Sequence, residues 1–480
     1  MAYFTVMLNL PQYSTVSHAA LYFFRSLEAT PPWTDCQNPW VADSASCYVP
    51  TKEHLPCETV SKALARQYRG GNVQDGYPLL YGDGVTMVPA VVFQNYSQGC
   101  LPGNVSSVVG FYDHGVLGLG DGIQDVLGIE LDATLMSAIL LLAALAIVGR
   151  GFTHAHLEFY TIAWLRYSIL IALLGFALSQ KGALLGFSRL MELRLESVAD
   201  ITLWQDVIAF ALFGVGAGGY GITFISSFNS FHNNLVMDIV VILCNNLVTC
   251  LGMAALVLCL LGSFTVRTGL AIDQVITSNI IEDTAFIHVP EAMLSTSNHA
   301  LLHKGYFLML ACMGFGNLLL TTEIVAEVIE GEFPQAQGNK KLTRTAVGVV
   351  CYMCSVVYMT PAGPYLKAII IDYLYYIVGF VNVILELLVI FHFYGLERVT
   401  VDCGLMLDLI PGKFLIIMWT AAIPIVLTTM LVLGLLFRPS AKFRDYEYSA
   451  LSRVITAAVA LMGLTFIPSY AYAVLVANRF

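Results

Sequence analysis

WQDVIAFALFGVGAGGYGITFISSFNSFHNNLVMD, residues Trp204 to Asp238, is the stretch on which the reading of this chain turns. It starts as an apolar helix, then places five glycines in eight positions: Gly214, Gly216, Gly218, Gly219 and Gly221. Aromatic and β-branched residues follow, and a polar run (Ser226, Ser227, Asn229, His232, Asn233, Asn234) leaves the apolar zone. The glycines alone leave two readings open. Gly214 and Gly218 form a GxxxG pair that lets two membrane helices approach closely. Alternatively the helix is broken here. A backbone freed from its helix inside hydrocarbon persists only where it lines a cavity or is covered by protein, and glycine-interrupted spans mark the binding sites of transporters.

The surrounding chain suits hydrocarbon. Of 480 residues, 57% are hydrophobic and 12% charged, and mean hydropathy is +0.73. With apolar runs of about 20 residues, this composition implies an all-α integral membrane protein; the period-two alternation of a membrane barrel is missing. A net charge of −10, with no basic patch, argues against nucleic acid as a partner. About ten transmembrane helices are expected, at 1–24, 133–149, 157–178, 203–228, 236–263, 303–328, 343–360, 367–394, 414–437 and 450–476. They divide the chain into a first transmembrane segment (1–24, with Pro11 inside it), a large loop (25–132) and a transmembrane domain of the remaining helices (133–480).

The loop 25–132 carries four of the eleven cysteines (Cys36, Cys47, Cys57, Cys100) and N-glycosylation sequons at Asn95 and Asn104. Disulfides and N-glycans belong to the oxidising, extracellular side. Cys36 with Cys47 is the expected pair, although spacing alone does not fix connectivity. With this loop outside, Lys340, Lys341 and Arg344 fall inside, as the positive-inside bias requires. Residues 265–302 then form an outer loop apolar enough (Phe286, Ile287, Val289, Pro290) for a re-entrant lid.

Several ordered motifs carry a resemblance. Trp33, Cys36, Asn38, Trp40 and Cys47 fit a PW-x-x-C-x-N-x-W…C pattern. Val116-Leu-Gly-Leu is followed by Gly122-Ile-Gln-Asp125. Trp204-Gln-Asp206, Phe213 and Phe228-Asn-Ser-Phe-His-Asn-Asn234 come next, then Pro290-Glu-Ala, Tyr306-Phe-Leu-Met-Leu, Glu332-Phe-Pro and Phe393-Tyr-Gly. In this order and spacing the chain resembles the neurotransmitter:sodium symporter family from Ala2 almost to its C-terminus. The resemblance implies an inverted-repeat symporter fold whose sixth family helix is broken at 214–221. It begins within what would be the family's third helix, so the implied fold is N-terminally truncated, without the family's first two helices.

The resemblance also implies site residues, and shows where this chain departs from the pattern. The family's substrate-contacting tyrosine aligns with Gln12, with Tyr13 beside it. Phe213 and the glycines Gly216, Gly218 and Gly219 would line the solute cavity with Asn317. Relatives carry larger residues at those glycines, so a roomy half-cavity and a bulky or aromatic solute are expected. Asn246, Met313 and Asn317 would hold sodium in degraded sites, because the carboxylate of the second sodium site aligns with Gly316. Phe210, Gly214 and Cys250 replace the polar residues expected around chloride, so weak or absent chloride dependence is expected.

Other candidates weigh less. Glu323 and Glu386 lie in or near apolar spans, where an ionisable group is a functional hypothesis; for Glu323 the solvated inner end of its helix is the alternative. His392 reads as a core histidine. Cys351 and Cys354 form a CxxC on an apolar helix without metal-ligand neighbours. No nucleophile–base pair or phosphate loop points to an enzyme. The expected function is sodium-coupled symport of a small amine, amino acid or related solute across the plasma membrane. The alternatives are a non-transporting paralogue that associates with a related transporter, as a homo- or hetero-oligomer in membrane lipid, and a solute-gated channel.

Overall fold

The computed structural model describes residues 2–37, 40, 47–50, 64, 66–68, 76–81, 84–89, 92, 105–149, 156–192, 198–219, 221–268, 272–276, 280–296, 298–407, 410–438 and 442–477. Its helices, numbered here in chain order, are α1 (Ala2–Asn9), α2 (Gln12–Ser26), α3 (Leu131–Val148), α4 (His156–Ser179), α5 (Ala183–Met191), α6 (Ile201–Gly214), α7 (Gly221–Ser226), α8 (Leu235–Thr268), α9 (Val289–Leu294), α10 (His299–Glu332), α11 (Lys340–Ser355), α12 (Gly363–Tyr373), α13 (Phe380–Leu388), α14 (Leu396–Leu407), α15 (Ile423–Phe437) and α16 (Ala450–Ala477).

Among the described residues, seven helices are long and apolar enough to cross a bilayer, against about ten expected. The difference has local causes. The expected span 1–24 is divided between α1 and α2 at Pro11, which has no N–H to continue the helical ladder. The span 203–228 is divided between α6 and α7 by the glycines. Conversely, the span expected at 367–394 is one end-to-end run, Gly363–Leu407. It stays helical through two π-helical turns, Leu374–Gly379 and Val389–Gly395, and such turns inside α-helices are frequent at functional sites.

An aromatic core organises one part of the fold. Trp33, Tyr22, Tyr112, Phe286 and Phe307 are all essentially inaccessible. Tyr22 stacks on Phe307 at 4.5 Å and Tyr112 on Phe286 at 5.3 Å. These rings tie α2, the turn Pro32–Thr34, the segment 107–116 and the 281–294 segment into one cluster. The disulfide Cys36–Cys47 closes the start of the loop that follows α2. Cys57, Cys100, Asn95 and Asn104 lie outside the described residues.

The segment expected to be apolar enough for a lid is buried helix: Phe286 to Thr296 are all buried, and Pro290 O lies 3.2 Å from His303 Nε2 of α10. Glu291 belongs to this buried segment, and burial pushes its carboxyl up to about 7. A carboxyl whose folded pKa exceeds its unfolded value contributes stability that is fully present below the unfolded value and lost as pH rises through the folded one. Melting temperature should therefore fall between pH 5 and pH 8 in the wild type, and fall less in Glu291→Gln. A variant with the same pH slope as wild type would show that another group sets it.

Glycines close the contact between α5 and α8. A Cβ on Gly186 would lie 1.8 Å from Leu258 O, and one on Gly262 would lie 2.5 Å from Gly186 N. Two backbones touch here, as small residues in membrane helices allow. Gly186→Val forces them apart and should destabilise the protein by about 3 kcal/mol, read as a lowered melting temperature. Unchanged melting would mean that the crossing opens freely.

Candidate functional site

α6 is fixed at its N-terminus before it breaks. Asp200 caps it by accepting from Thr202 N–H at 2.9 Å. Gln205 Nε2 donates to Met430 O of α15 at 2.8 Å. Arg438, just past α15, reaches both Asp206 of α6 and Asp372 of α12 at 3.1 Å, with its guanidinium 3.3 Å above the Tyr376 ring. The helix then ends at Gly214 because Gly216 and Gly218 hold φ of +78° and +73°, a conformation that glycine alone adopts at no steric cost. Within the break the ladder is irregular: Gly216 N–H donates to Phe213 O (3.0 Å) and Ala217 N–H to Leu212 O (2.8 Å). α7 resumes at Gly221. The break expected from the glycines is therefore present, and so is the close packing that was its rival.

Three neighbours frame it. From α1, Phe4 lies 5.7 Å from the Phe213 ring, and Thr5 Oγ1 lies 3.5 Å from a Cβ built on Gly219. From α8, the Asn246 amide lies 2.8 Å from a Cβ built on Gly214. From the α12–α13 run, Tyr375 meets Phe213 edge to face at 4.9 Å, and the Glu386 carboxylate interacts with the Gly218 backbone amide. Gly379 ends the first π-helical turn; a Cβ there would sit 2.1 Å from Phe213 Cζ. Phe4, Thr5, Tyr375, Gly379 and Val383 were not singled out from sequence. Gly379, a lone glycine in an apolar run, was the one available signal.

The expectation of a roomy half-cavity needs correction. A Cβ on Gly218 would lie 2.7 Å from Val383 Cγ2 and 3.4 Å from Gly379 O, and one on Gly216 would lie 3.2 Å from Ile222 Cγ1. These glycines allow a turn and a close approach rather than leaving open volume. Gly219 alone meets only ordinary contacts.

The other sequence candidates lie elsewhere. Tyr13 is buried among Leu10, Val16 and Leu318, with its hydroxyl on Thr322, in a different cluster from Phe213. Gln12 is half-buried at the start of α2. Met313 and Asn317 lie on α10, where Asn317 O accepts from Thr321 Oγ1 at 2.8 Å. Glu323 is buried and paired with Arg344 at 3.0 Å, with Glu330 and Lys340 extending the network; this is an ion-pair cluster where α10 and α11 meet. His392 is exposed. Cys351 is buried, Cys354 is exposed, and both are free thiols.

The donor set decides how well sodium fits. A sodium ion needs several hard oxygens to replace its water. Asn246 brings an amide oxygen to the edge of the break, although that oxygen already accepts from Cys250 Sγ at 3.6 Å. On α10, Gly316 supplies no side-chain oxygen, and a Cβ there would face Ile162 of α4 at 3.9 Å. The break thus presents one side-chain amide, and the Met313–Asn317 stretch offers no carboxylate.

The family model for the sodium:neurotransmitter symporter family matches residues 87–478. Among curated proteins, the chain is 24% identical to a sodium- and chloride-dependent glycine transporter 2 of Xenopus laevis, over 91% of this chain and 54% of that protein. It is 21% identical to a sodium-dependent dopamine transporter of Caenorhabditis elegans, over 93% and 68%. It is 23% identical to a sodium-dependent serotonin transporter of Drosophila melanogaster, over 95% and 66%. The chain spans between 54% and 68% of the length of these relatives.

Proposed function

Because the chain belongs to the sodium:neurotransmitter symporter family, we propose that it is a secondary active transporter carrying a small amine or amino acid through the break between α6 and α7. The family is one of sodium-coupled, multi-pass plasma-membrane transporters and not of enzymes. One observation supports this site above others. Two left-handed glycines unwind a membrane helix where an amide (Asn246), a carboxylate (Glu386) and three aromatic rings (Phe4, Phe213, Tyr375) meet. Unwound backbone at membrane depth is tolerated where it serves a cavity or is covered by protein, and broken helices hold the solute in inverted-repeat transporters. A carboxylate beside aromatic faces suits an ammonium group. The relatives are named for glycine, dopamine and serotonin, and each of these carries one.

Sodium is the proposed driver, with Asn246 as its side-chain ligand at the break. Chloride takes no part in this reading, since Phe210, Gly214 and Cys250 offer almost no donors. Uptake into proteoliposomes by the full-length protein is the test. We expect an inward sodium gradient to drive accumulation of an amine or amino acid, unchanged when gluconate replaces chloride. A folded protein that moves no member of an amine and amino-acid panel would end the transport reading.

A second reading rests on a different surface. Along the first half of α8, Val236, Met237, Val240, Val241, Leu247 and Val248 are all exposed. That face meets lipid or another transporter, and co-purification of a related full-length transporter without uptake would favour a non-transporting partner.

A further inference from the structure

Arg166 stands near the middle of α4, a 24-residue helix long and apolar enough to span the bilayer. An ionisable group at such depth is expensive and is a functional hypothesis by default. Its surroundings make it unusual. Among the described residues no carboxylate pairs with it. Its Nη2 donates to the Tyr167 hydroxyl at 2.5 Å, and its Nε is buried and donates to nothing. The Tyr167 hydroxyl passes the contact on to Asn245 of α8 at 2.8 Å, the residue next to Asn246.

The register of α4 against α10 places this charge. Ile162 faces Gly316, while Ile169 and Leu173 face Gly305, so the two helices run antiparallel. Arg166 is one turn from Ile162 on the same face and interacts electrostatically with Cys312, the residue before Met313. The guanidinium therefore lies between the two helices that carry the candidate cation ligands: Asn246 on α8, and Met313 and Asn317 on α10. Where α10 would need an anionic oxygen to hold a cation, it has Gly316; a permanent cation lies about one turn away.

We propose that the Arg166 guanidinium is a built-in cation that takes the place of a sodium ion at the Met313–Asn317 stretch. It repels a second cation and hydrogen-bonds toward α8, joining helices that a bound ion would otherwise bridge. The consequence for solute coupling, one sodium site fewer, rests on the transport reading; the occupancy of the site does not.

The test reads sodium without solute. Melting temperature of the purified full-length protein is followed as sodium chloride replaces choline chloride at constant ionic strength, since a ligand of the folded state raises it. Wild type and Arg166→Lys should respond alike. Arg166→Gln, which removes the charge and keeps a polar side chain, should respond at about tenfold lower sodium, and Arg166→Gln with Gly316→Asp at lower sodium still. If Arg166→Gln does not fold, Gly316→Asp alone decides. There the new carboxylate should pair with Arg166 and stabilise the protein with no added sodium response; a new sodium response with Arg166 in place would overturn the proposal. Identical sodium responses in wild type, Arg166→Gln and the double variant would also overturn it. The expected sodium pattern in a protein that moves no solute would remove the transport reading and leave this one standing.

Discussion

Arg444→Ala should cost the folded protein about 3–5 kcal/mol and sharply reduce the amount that reaches the cell surface. Arg444 sits between the paired residues Lys442–Phe443 and Tyr446–Glu447 of a small hairpin, at a φ of +50°. Its guanidinium grips two carboxylates at once. Nε and Nη2 donate to Asp283 at 2.9 Å each, and Nη1 and Nη2 donate to Asp113 at 2.8 and 2.9 Å. The Asp283 side chain is 2% exposed and that of Asp113 is 13% exposed. Truncating the arginine leaves two desolvated anions facing each other, the costly way to break a buried ion pair. Arg444→Lys keeps the charge and loses the forked geometry, so an intermediate loss is expected. Replacing all three groups together, by Arg444→Met with Asp113→Asn and Asp283→Asn, should recover most of the stability. Thermal melting and surface labelling read both effects; wild-type melting of Arg444→Ala would sink the argument.

Gly218→Leu should lower solute affinity on the order of 100-fold if the break is the transport site. The left-handed backbone at Gly218 disfavours any side chain by about 1–2 kcal/mol. The first added atom would already press on Val383 Cγ2 at 2.7 Å, displacing α13 and with it the Glu386 contact. Gly219→Ala is the control: its Cβ meets only Thr5 Oγ1 at 3.5 Å and Gly216 O at 3.6 Å, so near-normal binding is expected. Equal binding in wild type and Gly218→Leu would place the solute elsewhere.

What the sequence revealed follows from the range of each interaction. The break was legible because backbone conformation is local: glycines at 216 and 218 permit a φ that other residues resist. The long spans were legible because hydrocarbon demands continuous apolar runs. The Cys36–Cys47 disulfide joins residues eleven positions apart in a motif-bearing loop. What closes around the break was not legible. Whether Gly218 faces open space or Val383 depends on a helix more than 160 residues later, and no local pattern encodes that register. The π-helical turn that brings Gly379 against Phe213 leaves the apolar pattern unchanged. Arg166 and Arg444 were present as letters, but one is defined by having no carboxylate partner among the described residues and the other by partners 161 and 331 residues away.

Those separations also set an order of events during synthesis. Asp113 and Asp283 emerge from the ribosome long before Arg444, so through most of translation these two acidic groups stand without their shared cation. Any product that stops before the hairpin leaves the aromatic core in place and the charged seam above it open. Completion of this charged seam is thus a late step, and a chain terminated just short of Lys442 should be retained in the endoplasmic reticulum even though nearly all of its membrane helices are present.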